Sequence, residues 1–272
     1  MREAMRCLGC AALLPILAAL VNGAASAKAV LDEAEALRIG QAAIGRQLAD
    51  HAFVDSAQQP VRLADFRGKP LVVSLVYTSC SSVCPTIVQT LDSAVGVAQR
   101  ALGADSFAVV TIGFDVRHDT PARMRAFARA QGIDRPGWRF LSGDGRTVDA
   151  LVEEVGFTVY PSPQGFDHLA LTSVVDHDGV IYRQIYGGGF EAPALVEPLK
   201  DLVFGRRSDW TSIEGLVNRV RLFCTLYDPR TGGYRFDYSP FVGMAIGLLA
   251  LGGVAGFAIR EWRRAGRPRL GA

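Results

Sequence analysis

The chain has 272 residues, 49% of them hydrophobic, with five cysteines and a formal net charge of +2, enough for one good-sized core plus membrane segments. The charge is uneven: residues 1–27 carry +1 and residues 260–272 carry +4, so the total of +2 leaves −3 for everything between. That middle stretch has no long basic run, which excludes nucleic acid as a partner.

Residues 1–27 read as a secretory signal, with Arg2 and Arg6 at the start, an apolar stretch from Cys7 to Val21, and Ala25-Ser26-Ala27 as an A-x-A cleavage site. Cleavage there predicts a mature chain beginning at Lys28. It also removes Cys7 and Cys10, leaving Cys80, Cys84 and Cys224, an odd count that does not suit a simple disulfide framework. Residues 28–52 form a lead-in arm whose mixed acidic, alanine-rich and basic composition predicts an exposed helix.

A folded domain is predicted over 53–205. Phe53-Val54 and Val61-Arg62-Leu63 flank a polar turn and read as a short hairpin. Residues 71–76 are apolar and β-branched, a buried strand, and Pro85 opens a helix reaching about Leu102. A second apolar strand follows over 107–114. Asp119-Thr120-Pro121 then starts a helix that Gly132 ends. A strand at 138–141 and a helix at 147–155 come next. Residues 169–175 and 180–186 are two strands joined by a two-residue turn at Asp178-Gly179, and a last helix covers about 192–204. Strands alternating with helices and closing on a hairpin predict an α/β sandwich around one mixed sheet.

Residues 206–239 are a juxtamembrane segment. Within it, 211–214 has the form of a capping box, and Ile213, Leu216, Val217, Val220 and Phe223 make an apolar helical stripe. The stripe could lie on a membrane surface or pack on the domain. Residues 227–238 read as a turn-rich linker. Residues 240–259 hold no charge over a length that crosses the hydrocarbon core of a bilayer. The arginines of the 260–272 tail then fit the cytoplasmic side. This predicts a single-pass protein of the bacterial inner membrane whose main domain faces the periplasm.

Between strand and helix lies Tyr77-Thr78-Ser79-Cys80-Ser81-Ser82-Val83-Cys84-Pro85. The two sulfurs would staple only one turn, which does not suit a structural disulfide. They read as a redox pair or a soft-metal clip, with Cys84 in the N-cap or first turn of the helix and held toward thiolate by the helix N-terminus. His51, His118 and His177 read as solvated loop residues. His168, at the mouth of a strand, would complete a set of two sulfurs and one imidazole. That set suits copper, and zinc accepts the same ligands. Cys224, in an apolar setting, reads as a buried thiol.

Asp65-Phe66-Arg67-Gly68-Lys69, Val76 to Cys80 with Cys84-Pro85, Asp115 with Asp119-Thr120-Pro121, and Asp167-His168 together resemble the Sco/SenC family over roughly residues 53–204. The resemblance implies a thioredoxin-like fold carried here on a C-terminal transmembrane helix, with Cys80, Cys84 and His168 as copper ligands. It also implies a metallochaperone that takes copper from an upstream donor and delivers it to the copper subunit of an apo-cytochrome c oxidase. The competing activity is thiol–disulfide exchange by Cys80 and Cys84 on exported or oxidase proteins. Two departures stand out: Ser81 follows the first cysteine where many relatives have proline, and the anchor is C-terminal rather than N-terminal.

Overall fold

The computed structural model describes residues 31–80, 83–163, 165–205, 217, 220, 221 and 224–265. The predicted signal peptide, the capping box at 211–214 and most of the basic tail lie outside the described residues. The elements are α1 (Glu33–Ala42), β1 (Ala52–Asp55), β2 (Pro60–Arg62), β3 (Leu71–Val76), α2 (Val83–Leu102), β4 (Ala108–Gly113), α3 (Pro121–Ala130), β5 (Trp138–Ser142) and α4 (Gly145–Glu154). They continue with β6 (Val159–Ser162), β7 (Gly165–His168), β8 (Leu171–Val175), β9 (Ile181–Tyr186), α5 (Ala192–Gly205), β10 (Thr225–Asp228), β11 (Gly233–Phe236) and α6 (Ser239–Ala265).

Seven strands form one mixed sheet in the order β2-β1-β5-β4-β3-β8-β9. At its centre β3 runs parallel to β4, and β4 to β5, with Leu71 opposite Ala108 and Val109 opposite Trp138. Every residue of β3 and β4 is buried, as expected of central strands covered on both faces, which therefore read as continuous rather than alternating apolar runs. Antiparallel β8 and β9 extend one edge and the β1–β2 hairpin the other. Helices α2 and α5 lie side by side, and α3 packs on β5. The fold is the predicted α/β arrangement of thioredoxin-like type.

The helix starts follow the capping chemistry of their sequences. The Thr120 side chain accepts from Arg123 N ahead of Pro121 at the first helical position of α3, and Asp144 caps α4 through Thr147 N. The β8–β9 turn is longer than predicted. Asp176 and Val180 close it through Asp176 N to Val180 O at 2.8 Å, leaving three residues, 177–179, in the loop. Asp176 Oδ1 accepts from both Asp178 N and Val180 N, and an Asx turn of this kind stabilises the wider loop.

Two connections predicted to be loose are docked. Helix α1 buries Ala36 and Gly40, and Gly156, at φ +69°, passes so close that a Cβ there would sit 2.7 Å from Ile39 O. Leu48 is buried and Gln47 bridges Val180, so the lead-in arm packs on the domain. The predicted linker at 227–238 is instead the β10–β11 hairpin, with Tyr227 opposite Tyr234. It is held by a buried lysine on α5. Lys200 Nζ donates to Thr225 O at 3.2 Å and pairs with Glu197 at 2.8 Å, while the Tyr234 hydroxyl donates to Glu197 Oε1 at 2.7 Å. The paired tyrosine rings, 5.4 Å apart, and this polar clasp outweigh the turn-rich composition. Cys224, just before β10, is buried, as read from its neighbours.

Helix α6 meets the rest of the described residues at its start, where Phe241 stacks on Phe236 of β11 at 6.0 Å, and its 25-residue stretch Ser239–Arg263 is apolar with no residue of its most apolar window buried. At 1.5 Å per residue it is ~38 Å long, more than the ~30 Å of a hydrocarbon core.

Candidate metal centre

The site grows from the end of β3. Tyr77 O accepts from Cys80 N at 3.2 Å, which curls the chain into a turn, and α2 begins at Val83, so Cys84 lies in its first turn. The first N–H groups of a helix have no partner within it. Here the Cys80 sulfur supplies one, accepting from Cys84 N at 3.3 Å. Both cysteines are thiols rather than a disulfide.

The turn is pinned from below by one carboxylate. Asp119, only 2% exposed, accepts from Thr78 N at 2.8 Å and Thr78 Oγ at 2.7 Å through Oδ1, and from Asp115 N at 2.9 Å through Oδ2. Burial pushes the Asp119 pKa up, against the pull of these hydrogen bonds. The carboxylate reaches this place only because β4 ends in Gly113, where any Cβ would collide with Asp119 Cβ.

Cys84 differs from its predicted state. It is fully buried, and burial pushes its thiol up to about 12, with only partial relief from a hydrogen bond to the Tyr77 backbone. Desolvation outweighs the helix N-terminus, so in the metal-free protein this sulfur is a thiol. The N–H at the helix terminus is aimed at Cys80 instead.

His168 closes β7, opposite Val159 of β6 in a separate two-stranded sheet. Its ring meets those of Phe157 at 5.3 Å, Phe114 at 5.6 Å and Tyr77 at 6.1 Å. Burial pushes its pKa down, offset in part by the Leu169 backbone and the Asp167 charge, so the imidazole is neutral, the form that binds metals. Its Nδ1 is buried with no hydrogen-bond partner among the described residues. A buried ring nitrogen left unpaired costs about 1–3 kcal/mol, and an incoming ligand would recover that.

The structure thus joins Cys80 to Cys84 and sets His168 across an aromatic cluster from them. Among the described residues, no three His, Cys, Asp or Glu side chains converge to metal-binding distance. Tyr77 stands between the two halves. Its ring meets Phe166 at 5.2 Å and His168 at 6.1 Å, and burial, with the Cys80 and Cys84 sulfurs adding, pushes its pKa up to about 12. Beside it opens a cleft of about 850 Å³, bounded by Ser79, Val116, His118 and Pro161.

Of the other histidines, His118 is exposed, as read, with Nδ1 2.7 Å from Asp115 Oδ2. His51 is not solvated: its side chain is 12% exposed and its Nε2 lies 2.9 Å from Glu154 Oε2. His177 sits half-buried in the β8–β9 loop. Sequence reasoning missed the roles of Tyr77 and Asp119. The signal for Tyr77 was its position immediately after a buried strand, where a phenol must find a partner.

A SCO1/SenC family model matches residues 41–203. The chain belongs to this family. A protein of Aquifex aeolicus VF5 ascribed to electron transfer is 28% identical, with 60% of this chain and 95% of that one aligned at a TM-score of 0.54. A SCO1/SenC family lipoprotein of Bacillus anthracis, 19% identical, aligns over 58% of this chain and 95% of its own at a TM-score of 0.52 and shares the fold. ScoI of Bradyrhizobium japonicum, solved with copper bound, is 25% identical over 57% of this chain and 96% of its own, with a TM-score of 0.47.

Proposed function

We propose that this SCO1/SenC protein takes copper onto Cys80, Cys84 and His168 and passes it to the copper subunit of cytochrome c oxidase during assembly. The observation that carries the reading is the donor set itself. Two reduced sulfurs share one helix start, and a neutral imidazole with an unpaired, buried Nδ1 lies behind the same tyrosine. Soft sulfur selects copper over harder ions, and imidazole suits either oxidation state.

The metal is cargo, received from an upstream donor. Cys80, half-exposed at the mouth of the turn, meets an incoming carrier first. Cys84, held as a thiol by burial, gives up its proton as its sulfur binds. His168 then brings Nδ1 to the set, and an acceptor thiol displaces these three ligands in turn. Buried Cys84, with its raised pKa, is poorly suited to attack a disulfide, and this favours metal transfer over thiol–disulfide exchange.

The domain works from the periplasmic face of the inner membrane, with α6 as its single span. Aromatic residues mark both ends of that helix, Tyr238 and Phe241 at one and Trp262 at the other, and Arg260 and Arg263 follow on the cytoplasmic side.

The test is made in cells under limiting copper. His168→Ala should lose oxidase activity nearly as fully as Cys80→Ser, and added copper should partly restore it. If His168→Ala assembles oxidase normally while Cys80→Ser fails and added reductant rescues it, thiol exchange replaces the copper reading.

A further inference from the structure

The domain and the apolar helix α6 are joined without slack. Lys200 of α5 is 6% exposed. Besides its bonds to Thr225 O and Glu197, its Nζ lies 5.8 Å from the centre of the Tyr234 ring, and the Tyr234 hydroxyl donates to the same Glu197. A buried ammonium is tolerated only when paired in this way, so the β10–β11 hairpin is clasped to α5. Strand β11 also packs on α2, whose first turn holds Cys84. Only Asp237 and Tyr238 separate β11 from α6, and that step is bonded on both sides. Asp237 N donates to Cys224 O at 2.7 Å. Asp237 Oδ1 accepts from Ser239 N at 2.9 Å and Ser239 Oγ at 2.6 Å, capping α6. The Phe236 ring lies 4.8 Å from Tyr238 and stacks on Phe241.

The open end of the hairpin is thus fixed beside the first turn of α6. A helix longer than the hydrocarbon core leaves about one turn for the headgroup layer. A cleft of about 490 Å³ opens at this junction, lined by Arg235, Phe236, Asp237, Tyr238, Ser239 and Val242. Its chemistry is divided: Val242 is apolar and exposed, Tyr238 adds an exposed phenol, and Arg235 brings a cation. The Arg235 side chain is 76% exposed, and its ion partner among the described residues, Asp228, stands 3.7 Å away, too far for a hydrogen bond. A guanidinium matches a phosphate through paired N–H groups, and tyrosine favours the headgroup layer. We propose that this cleft seats the phosphodiester headgroup of a phospholipid, with Arg235 on the phosphate and Val242 beside the acyl chain, so that the domain rides on the bilayer in one fixed attitude. The inference rests on the reading of α6 as a membrane span.

The test uses the full-length chain in nanodiscs of phosphatidylethanolamine and phosphatidylglycerol. The photoreactive residue p-benzoylphenylalanine replaces Leu226, Leu249 or Val54, and lipid adducts are counted by mass spectrometry. Leu226 is exposed and pairs with Arg235 across the hairpin. Leu249, within α6, reports the span, and Val54, exposed on β1 toward the other edge of the sheet, reports chance contact. Adducts at Leu226 should exceed those at Val54 about tenfold, and Arg235→Gln should remove most of that excess while Leu249 adducts persist. Tyr234→Phe, which loosens the clasp but keeps its ring, should speed hydrogen exchange at the Leu226 amide about tenfold and lower the Leu226 adducts. Adducts at Leu226 no higher than at Val54, or unchanged by Arg235→Gln, overturn the proposal and leave the span standing. A Leu249 probe without lipid adducts removes the span, and the headgroup site falls with it.

Discussion

The turn that bears the cysteines and the hairpin that bears His168 are built by different forces. The turn is tied by directional bonds: Asp119 accepts three hydrogen bonds beneath it, and Cys84 N donates to Cys80 above. The β6–β7 hairpin is a two-stranded sheet apart from the seven-stranded one. It is held mainly by ring edges against Tyr77, Phe114 and Phe157. An isolated two-stranded unit depends on such packing for its stability. The sulfur half is therefore preformed, whereas the imidazole half can shift by small changes in ring packing. A site that must release its cargo benefits from one fixed wall and one adjustable wall.

Breaking the fixed wall should give the largest effect. Asp119→Ala strips the acceptor from two backbone N–H groups and a hydroxyl, and leaving buried donors unpaired costs about 1–3 kcal/mol each. A loss of ~3 kcal/mol or more in denaturant titrations is expected. His168→Ala, on the packing-held wall, should cost ~1–2 kcal/mol, since it trims ring contacts but also removes the unpaired Nδ1. If the two variants were equally destabilised, the contrast between the walls would fail.

The next effect sharpens the same contrast through pH. Cys84 has a folded pKa raised from about 9 to about 12 by burial. A thiol raised in the folded state contributes stability that is present below the unfolded pKa and lost as pH climbs through the folded one. Stability should thus fall between pH 9 and 12, and Cys84→Ala should flatten that fall relative to the parent. An unchanged alkaline profile would mean that the sulfur is not desolvated as described. The smallest effect is kinetic: near pH 8, iodoacetamide should label Cys80 well before Cys84, on the order of a hundredfold apart.

The fixed wall was the more legible in sequence, for a physical reason. Strands covered on both faces are plain apolar runs, so β3 and β4 emerged within a residue or so of their observed ends, and Pro85 placed the start of α2 beside Cys84. The β6–β7 hairpin did not emerge, because Pro161 and Pro163 mark its segment as a loop. Proline is tolerated there because β6 pairs on one side only. The docking of α1 was hidden because it buries Ala36 and Gly40 rather than large apolar residues. Asp119 read as part of a helix start, and Thr120 holds that role. Only tertiary contact reveals that the aspartate serves Thr78 instead. His168 was singled out by its place at the mouth of a strand, and only the family resemblance implied a ligand role for it, since no local periodicity distinguishes a ligand histidine from a surface one.

The most direct test of the three-ligand site is X-ray absorption at the copper edge on the full-length chain, reduced and loaded with one equivalent of Cu(I). The account predicts two sulfur scatterers and one imidazole, with the imidazole signature lost in His168→Ala and one sulfur lost in Cys80→Ser. A spectrum with sulfur alone, or an imidazole signature that survives in His168→Ala, would contradict it.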